Sequence, residues 1–577
     1  MSDATPGEVG VVVGGALTKG LEIRLDPGAT AQLGQYVMAP LDGGGHVVGM
    51  VTDVVLRAAE SGPTAWPPST AGDAASKLLA EVLQDTGVYT QAEASLYLEV
   101  PEGEGETSRA RRLPRHFARV ALADQGSIDR AFSTGGRPSI PLGTPLGMEG
   151  VDVVVDFEKL FERSAGIFGK SGTGKSVLAL QLLDALVTRS SAAATNKERT
   201  VALVFDMHND YGWEMKFQGG ARTLRSLKGR HASAVTLYAL DESILNADAR
   251  VIIGTRDIEP EDLDVLQSTA YFTSNAVEAA HECAQRFGRD WIDELLEDVP
   301  GPRALRQVWR DGDEPDDVNW ARVAARLGFH AGSMDNLRRG LRRIVRRDFV
   351  KQRESEFSGV IDHIVQTLQG GSSVVVQFGK DGRDLTSYML VANMLSRRIW
   401  QKYSDRTERA AQGQAEEPNR LVIVIEEAHK FVDRALAGQS IFGQIARELR
   451  KYNVTLLVID QRPSQIDPEV LSQIGTKFCL QLDSDNDVEA LIGGVSGRAG
   501  LRQVIASLES RQQALAFGHA LPMPVVVRTP EATDDTRRAS LLERLGVRRP
   551  AGVEPTPDGL FGARHRPGAG AGSSGGL

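Results

Sequence analysis

Hydrophobic and polar positions follow two textures along the chain. Up to about residue 57 the apolar residues come in short runs, at 9–13, 21–25, 36–39 and 46–51, separated by Gly and Asp-Pro turns. Short, regularly spaced runs between turn residues predict a small β-barrel or sandwich. Residues 74–85 read as a helix and 91–100 as a further strand. A stretch rich in Pro and Gly between Pro138 and Val151 closes this part, which sets an N-terminal β-barrel domain at 1–145.

Beyond it the apolar runs lengthen and alternate with helical segments. Runs at 165–169, 200–205, 373–378, 421–425, 455–459, 477–482 and 513–517 are rich in β-forming residues and mostly lack a polar alternation. Strands covered on both faces have that composition, and the alternation with helices predicts an α/β core with a parallel sheet at 146–545. Between about 257 and 370 the strand signal stops, and helical stretches such as 261–285 and 335–351 predict a helical insertion. Gly, Pro and Ala dominate 546–577, where the expectation is a disordered tail.

Composition narrows the class. Hydrophobic residues are 41% and charged residues 25% of the chain, the proportions of a globular protein in water. No apolar run approaches a membrane span, and residues 1–10 carry acids instead of an apolar leader, so the expectation is a cytoplasmic protein with no membrane partner. Cys283 and Cys479 are too few for a disulfide framework or a zinc site. A net charge of −10 argues against coating nucleic acid with the whole surface, so any such contact has to be local.

The chemistry begins at Gly169, Lys170, Ser171, Gly172, Thr173, Gly174, Lys175 and Ser176, which spell G-x-x-x-x-G-K-S. A strand precedes the motif and a helix begins at Val177. Glycines let successive backbone N–H groups of such a loop converge on phosphates, at the positive end of the following helix. Lys175 is then the residue for the β- and γ-phosphates of ATP, and the Ser176 hydroxyl a ligand of Mg2+. A second block is an apolar run ending in Glu426 and Glu427. Two acids at the carboxyl end of a buried strand suit Mg2+ binding by Glu426 and general-base work by Glu427, or form a solvated acidic pair. Gln461 ends the run at 455–459, where an amide can sense the γ-phosphate or simply end the strand before Pro463.

Two weaker sets follow. Arg447 and Arg450 stand three apart on one predicted helix face, which is either a solvated face or the source of a cation for a neighbouring subunit's phosphate. Arg163 is a lesser candidate for the same work. Asp206 ends the run at 200–205, either near the nucleotide or in an ordinary turn.

These blocks together resemble the HerA family of the FtsK–HerA superfamily. Phe205-Asp206-Met207-His208-Asn209-Asp210-Tyr211 is similar to the family's Asp-Pro-His-Gly-Glu-Tyr stretch. Glu426-Glu427-Ala428-His429 and Arg450-Lys451-Tyr452 follow, and then Gln461-Arg462-Pro463-Ser464 leads to Asp467-Pro468-Glu469-Val470-Leu471. Residues 49–54 look like part of the small barrel that precedes such motors. The likeness covers most of 9–530. It implies a RecA-like P-loop NTPase core behind a small β-barrel, with a helical insertion. It also implies a homo-hexamer that uses ATP and Mg2+ to move double-stranded DNA through its pore, beside a NurA-like nuclease in DNA-end resection and recombinational repair. No nuclease motif occurs in the chain, so cutting is left to the partner. A HerA-type scaffold for an antiviral defence effector is the alternative the resemblance leaves open. A conjugation or secretion ATPase fits less well with the lack of membrane segments. Met207, Asn209, Asp210 and Asp460 depart from the family's Pro, Gly, Glu and Thr or Ser.

Basic residues concentrate at Arg338, Arg339, Arg342, Arg343, Arg346, Arg347, Lys351 and Arg353. At helical spacing they form a stripe, which suits DNA phosphates or pairing with acids such as Glu294 to Asp298. Lys380 to Arg383 is a further candidate for a DNA-contacting loop.

Overall fold

The computed structural model describes residues 7–58, 88–103, 105–148, 150–216, 223–267, 272–309, 315–353, 357–433, 441–448, 451–495, 497–509, 512–529, 541 and 544–546. The helix expected at 74–85, Arg450 and the tail beyond 546 lie outside these residues.

The N-terminal strands close on themselves. Gly20–Leu25, Glu8–Ala16, Arg119–Leu122, Tyr36–Pro40, His46–Ala58 and Val88–Val100 pair in that order, and Leu21–Arg24 then pairs with Gln91–Ala94 to complete a six-stranded barrel. Closure leaves no open sheet edge, and Val12, Ile23, Val37, Val51 and Val120 fill the interior. The barrel is seated on the core by hydrogen bonds and close packing. The buried Tyr36 phenol donates to the Pro524 carbonyl at 2.5 Å, and the Gln503 amide donates to Asp53 at 3.0 Å. Gly500 lies so close to Thr52 that a Cβ there would come within 2.5 Å of its methyl.

The core is a twelve-stranded sheet. Its parallel part runs Ala249–Arg250, Val235–Ala239, Ser373–Gln377, Thr200–Asp206, Arg420–Glu426, Val454–Asp460, Ala165–Phe168 and Thr476–Cys479. Every residue of Thr200–Asp206, Ser373–Gln377 and Val454–Asp460 is buried, which is why these runs read as continuously apolar. Gln513–Gly518, Val525–Arg528, Ser139–Pro145 and Val153–Asp156 extend the sheet antiparallel. Ser139–Pro145 precedes the expected domain boundary, yet its pairing with Val525–Arg528 puts it in the core sheet. The run at 477–482 leaves the sheet after Cys479, and its last residues back the P-loop instead.

The helical segment is stapled at its neck. Ile253–Gly254 and Val350–Lys351 form a short parallel pair that brings the two ends of the excursion together. Between them lie helices including Ser274–Phe287, Trp320–Arg326 and Ala331–Val345. Phe357–Gln369, expected within the insertion, packs instead on Ser373–Gln377 and on the long helix Leu385–Ala411. It is a crossover helix of the sheet, so the excursion ends near Lys351.

Arg338, Arg342, Arg347 and Arg353, half of the basic stripe, are engaged in contacts within the fold. Arg338 is buried, donates to the carbonyls of Leu295 and Glu297 and stacks over Trp320 at 5.0 Å. Arg342 pairs with Asp298, Arg353 with Glu297, and Arg347 with Asp384 and Ser387. The pairing with acids at 297–298 therefore accounts for Arg342 and Arg353, two of the eight basic residues. Arg339, Arg343 and Arg346 stay exposed. No helix among the described residues is long and apolar enough to cross a membrane.

Lys477 is a buried cost to this sheet. Its amine is buried and donates to the Leu491 carbonyl at 3.2 Å, and burial pushes its pKa down from 10.5 to about 8. Folding therefore favours loss of this proton above pH 8, whereas the unfolded chain keeps it to about pH 10.4, so the lysine opposes folding most at neutral pH. Lys477→Met is expected to stabilise the protein at pH 7 by on the order of 1–3 kcal/mol, with the gain shrinking as pH rises from 8 to 10, read by denaturant melts across that range.

Candidate active site

The parallel strands bring their carboxyl ends to one edge, and the predicted motifs meet there. Ala165–Phe168 lies between Val454–Asp460 and Thr476–Cys479, so the P-loop emerges with one neighbour on each side. The Gly169 N–H donates to the Asp460 carbonyl at 3.2 Å, and the Lys170 N–H to the Gln481 carbonyl at 3.0 Å. The Lys170 amine pairs with Asp483, and the Thr173 hydroxyl closes the loop on the Lys170 carbonyl at 2.8 Å. Gly169 has Leu480 against it, where a Cβ would come within 2.8 Å, and Gly174 turns the chain at φ +106° into the helix Lys175–Ala192. Val177 packs on the core beneath. Asp184 anchors the same helix by accepting from His231 at 2.5 Å and Arg230 at 3.1 Å.

Lys175 donates to the carbonyls of Gly169 and Lys170 at 2.8 and 3.0 Å. Burial lowers its pKa, and Glu427, Asp460 and Glu426 oppose that shift. Four charged groups contributed by separate strands and loops therefore share one field.

Glu426 ends the strand Arg420–Glu426 and is buried. Burial raises its pKa well above the carboxylate range, and Asp206, Asp210 and Glu427 push the same way while Lys175 opposes them. Its Oε2 has no hydrogen-bond partner. Glu427 follows in a left-handed conformation, φ 51° and ψ 44°, which for a residue with a Cβ costs about 1–2 kcal/mol. That turn swings its carboxylate sideways, and the Gln461 amide donates to it at 2.7 Å. Gln461 is delivered by Val454–Asp460, the strand between the Glu426 strand and the P-loop strand.

Asp460 accounts for its own departure from the family. It is fully buried and accepts from the His429 N–H at 2.7 Å, the His429 ring at 2.9 Å and the Arg462 N–H at 2.6 Å. A carboxylate with three donors ties the turn after Glu427 to the turn after Gln461, more acceptor capacity than a hydroxyl has.

Asp206 is placed as an organiser. It accepts from the Asp210 and Tyr211 N–H groups at 2.7 and 2.9 Å and from the Gln377 amide at 2.9 Å, and burial raises its pKa to about 7. The turn it holds brings Asp210 and Tyr211 beside Ser176, whose hydroxyl offsets part of the rise that burial gives both pKa values. Asp210 is thus the carboxylate at the P-loop serine. The sequence offered Asp206 as a candidate beside an ordinary turn and did not single out Asp210, although Asp210 stands at the position of the family's Glu.

The arginines stand apart. Arg447, on Ile441–Glu448, pairs with Glu469 at 3.1 Å. Arg163 lies at the amino end of Ala165–Phe168, against Gly475 and across the sheet from the P-loop of its own chain. Among the described residues no three His, Cys, Asp or Glu side chains could cage a metal by themselves. Mg2+ ordinarily takes one or two carboxylates plus phosphate oxygens and water. Ser176, Asp210 and the unpartnered Oε2 of Glu426 fit that smaller set.

A phosphate-binding loop, two strand-end acids and a polar residue on the strand between them make an ATP-hydrolysing site. The comparisons agree. Residues 140–399 match the family model described as helicase HerA, central domain, and residues 9–65 match the HAS barrel domain. Over both stretches the chain is similar to the HerA family. The DNA double-strand break repair helicase HerA of Pyrococcus furiosus is 22% identical over 90% of this chain and 91% of its own length. A probable DNA double-strand break repair helicase HerA of Methanocaldococcus jannaschii is 36% identical over 19% of this chain and 22% of its own. Among solved structures the bacterial conjugative coupling protein TrwB aligns with a TM-score of 0.42 at 14% identity, over 71% of this chain and 92% of that one. This HerA-type chain is an ATP hydrolase.

Two outcomes follow from the geometry. Lys175→Ala is expected to abolish ATP turnover without loss of the folded state, checked by phosphate release beside a melting curve. Asp210→Asn is expected to weaken Mg2+-dependent binding of a fluorescent ATP analogue by about tenfold while binding in EDTA is unchanged. Equal loss in both conditions would remove Asp210 from the metal set.

Proposed function

We propose that this HerA-like ATPase is a hexameric translocase of double-stranded DNA that works with a separate NurA-like nuclease in end resection and recombinational repair. The observation that carries the motor reading is the Gln461–Glu427 hydrogen bond, which holds the acid for water activation beside a residue able to sense the γ-phosphate. In this reading Glu427 takes a proton from the attacking water. Lys175 and the P-loop N–H groups hold the phosphates in line. Bound Mg2+ would supply neutralisation of phosphate charge, held by Ser176, Asp210 and Glu426. Arg450 or Arg447 reaches the γ-phosphate of the adjacent subunit as a second cation beside that subunit's Lys175. The repair role is supported by the names of the relatives and by the presence of both HerA modules in one chain.

The relevant measurement is ATP hydrolysis with and without linear duplex DNA at two salt concentrations. Stimulation that fades with salt is expected, because a motor gripping the phosphate backbone releases counterions. Turnover indifferent to duplex at both salts would overturn the translocase. Glu427→Gln is expected to bind ATP normally and slow turnover by at least ~100-fold. Mixing Arg450→Ala with Glu427→Gln subunits is expected to recover part of the activity, because some interfaces then hold an intact acid and an intact arginine. No recovery at any ratio would exclude Arg450 from a shared site.

A further inference from the structure

We propose that Asn209 is the positioning residue that couples the nucleotide-facing turn 206–211 to the turn Gly379–Arg383 and so to the helical segment. This rests on the translocase reading, which requires a path from the ATP site to whatever grips DNA. The path begins with Asp206, whose hydrogen bonds to the N–H groups of Asp210 and Tyr211 set the turn that presents Asp210 to Ser176. Asn209 sits inside that turn with φ +61°, a conformation in which Gly is the low-cost residue and Asn is tolerated. Here the side chain has a use. Its carbonyl accepts from the Gly379 N–H at 3.0 Å and its amide donates to the Gly379 carbonyl at 3.4 Å, a two-pronged bridge between segments 170 positions apart.

The bridge lies in a continuous seam. One step before it, the Gln377 amide donates to Asp206 at 2.9 Å. Three residues after Gly379, Gly382 is pressed against the Met207 carbonyl, where a Cβ would come within 2.2 Å. The 379–383 turn therefore has no slack to stay still while the 206–211 turn moves. On its far side the turn is joined to the helical segment. The Lys380 N–H donates to Asp241 at 2.8 Å, and the Lys380 amine pairs with Asp348 at 3.1 Å. Arg347, next to Asp348, pairs with Asp384 at the start of Leu385–Ala411. A displacement begun at Ser176 and Asp210 thus meets packed or hydrogen-bonded groups all the way to the foot of Ala331–Val345.

Asn209→Gly separates the bridge from the backbone, because glycine keeps the left-handed turn at no steric cost and removes only the amide. The first readout needs no DNA. ATPγS is expected to slow amide exchange at 379–383 in the wild-type protein and to leave it unchanged in Asn209→Gly. Slowing of equal size in both would overturn the coupling. The second readout is turnover: Asn209→Gly is expected to keep its basal rate within about twofold and lose stimulation by duplex DNA. Retention of full stimulation would also overturn it. A wild-type protein that duplex DNA does not stimulate would count against the translocase, while the exchange experiment would still decide the bridge.

Discussion

Carboxylates crowded at the end of a buried parallel sheet set the terms for the rest of this molecule. Asp206, Asp210 and Glu426 lie at the carboxyl edge of adjacent strands, each with its pKa raised first by burial. Burying one charge is expensive and burying several of one sign more so. The fold offsets this with Lys175, with donors from the Asp210 and Tyr211 N–H groups, and with the Gln377 amide. One oxygen of Glu426 remains unsatisfied. Buried carboxyl groups gathered this way hold their protons tightly, and a cation entering with a phosphate group would relieve that cost.

That constraint explains several departures from a plain P-loop scaffold. Asp460 costs burial but locks two turns with three accepted hydrogen bonds, so Glu427 and Gln461 keep their 2.7 Å contact. Glu427 sits in a strained left-handed turn that a surface acid would not need. The neck formed by Ile253–Gly254 and Val350–Lys351 brings the ends of the helical excursion together beside the 379–383 turn, where Lys380 pairs with Asp348. The closed barrel is tied to the antiparallel part of the sheet through Tyr36 and Pro524.

Much of the architecture was legible because burial on both faces leaves a plain mark in composition. The runs at 200–205, 421–425 and 455–459 lie in strands for that reason. Val235–Ala239 carries a similar β-rich mark and was passed over, whereas the pairing of Ser139–Pro145 with Val525–Arg528 is a contact between distant segments that no local pattern encodes. The stripe from Arg338 to Arg353 had helical spacing in the sequence, but spacing cannot say what a helix faces. The structure turns Arg338 inward onto Trp320 and gives Arg342 and Arg353 to the acids at 297–298.

By itself the sequence determined the chemistry of the site: a phosphate loop from Gly169 to Ser176, acids at 426 and 427 and an amide at 461 are local patterns whose spacing follows from backbone geometry. It also determined the division into a barrel and an α/β core, since periodicity and burial are written along the chain. Tertiary structure alone decided which of Asp206 and Asp210 meets Ser176, which strand separates the P-loop from Glu426, and that Asn209 grips Gly379. Each of those is set by side chains meeting across the sheet edge or across 170 positions of chain, where packing and the scarcity of buried hydrogen-bond partners choose the contact.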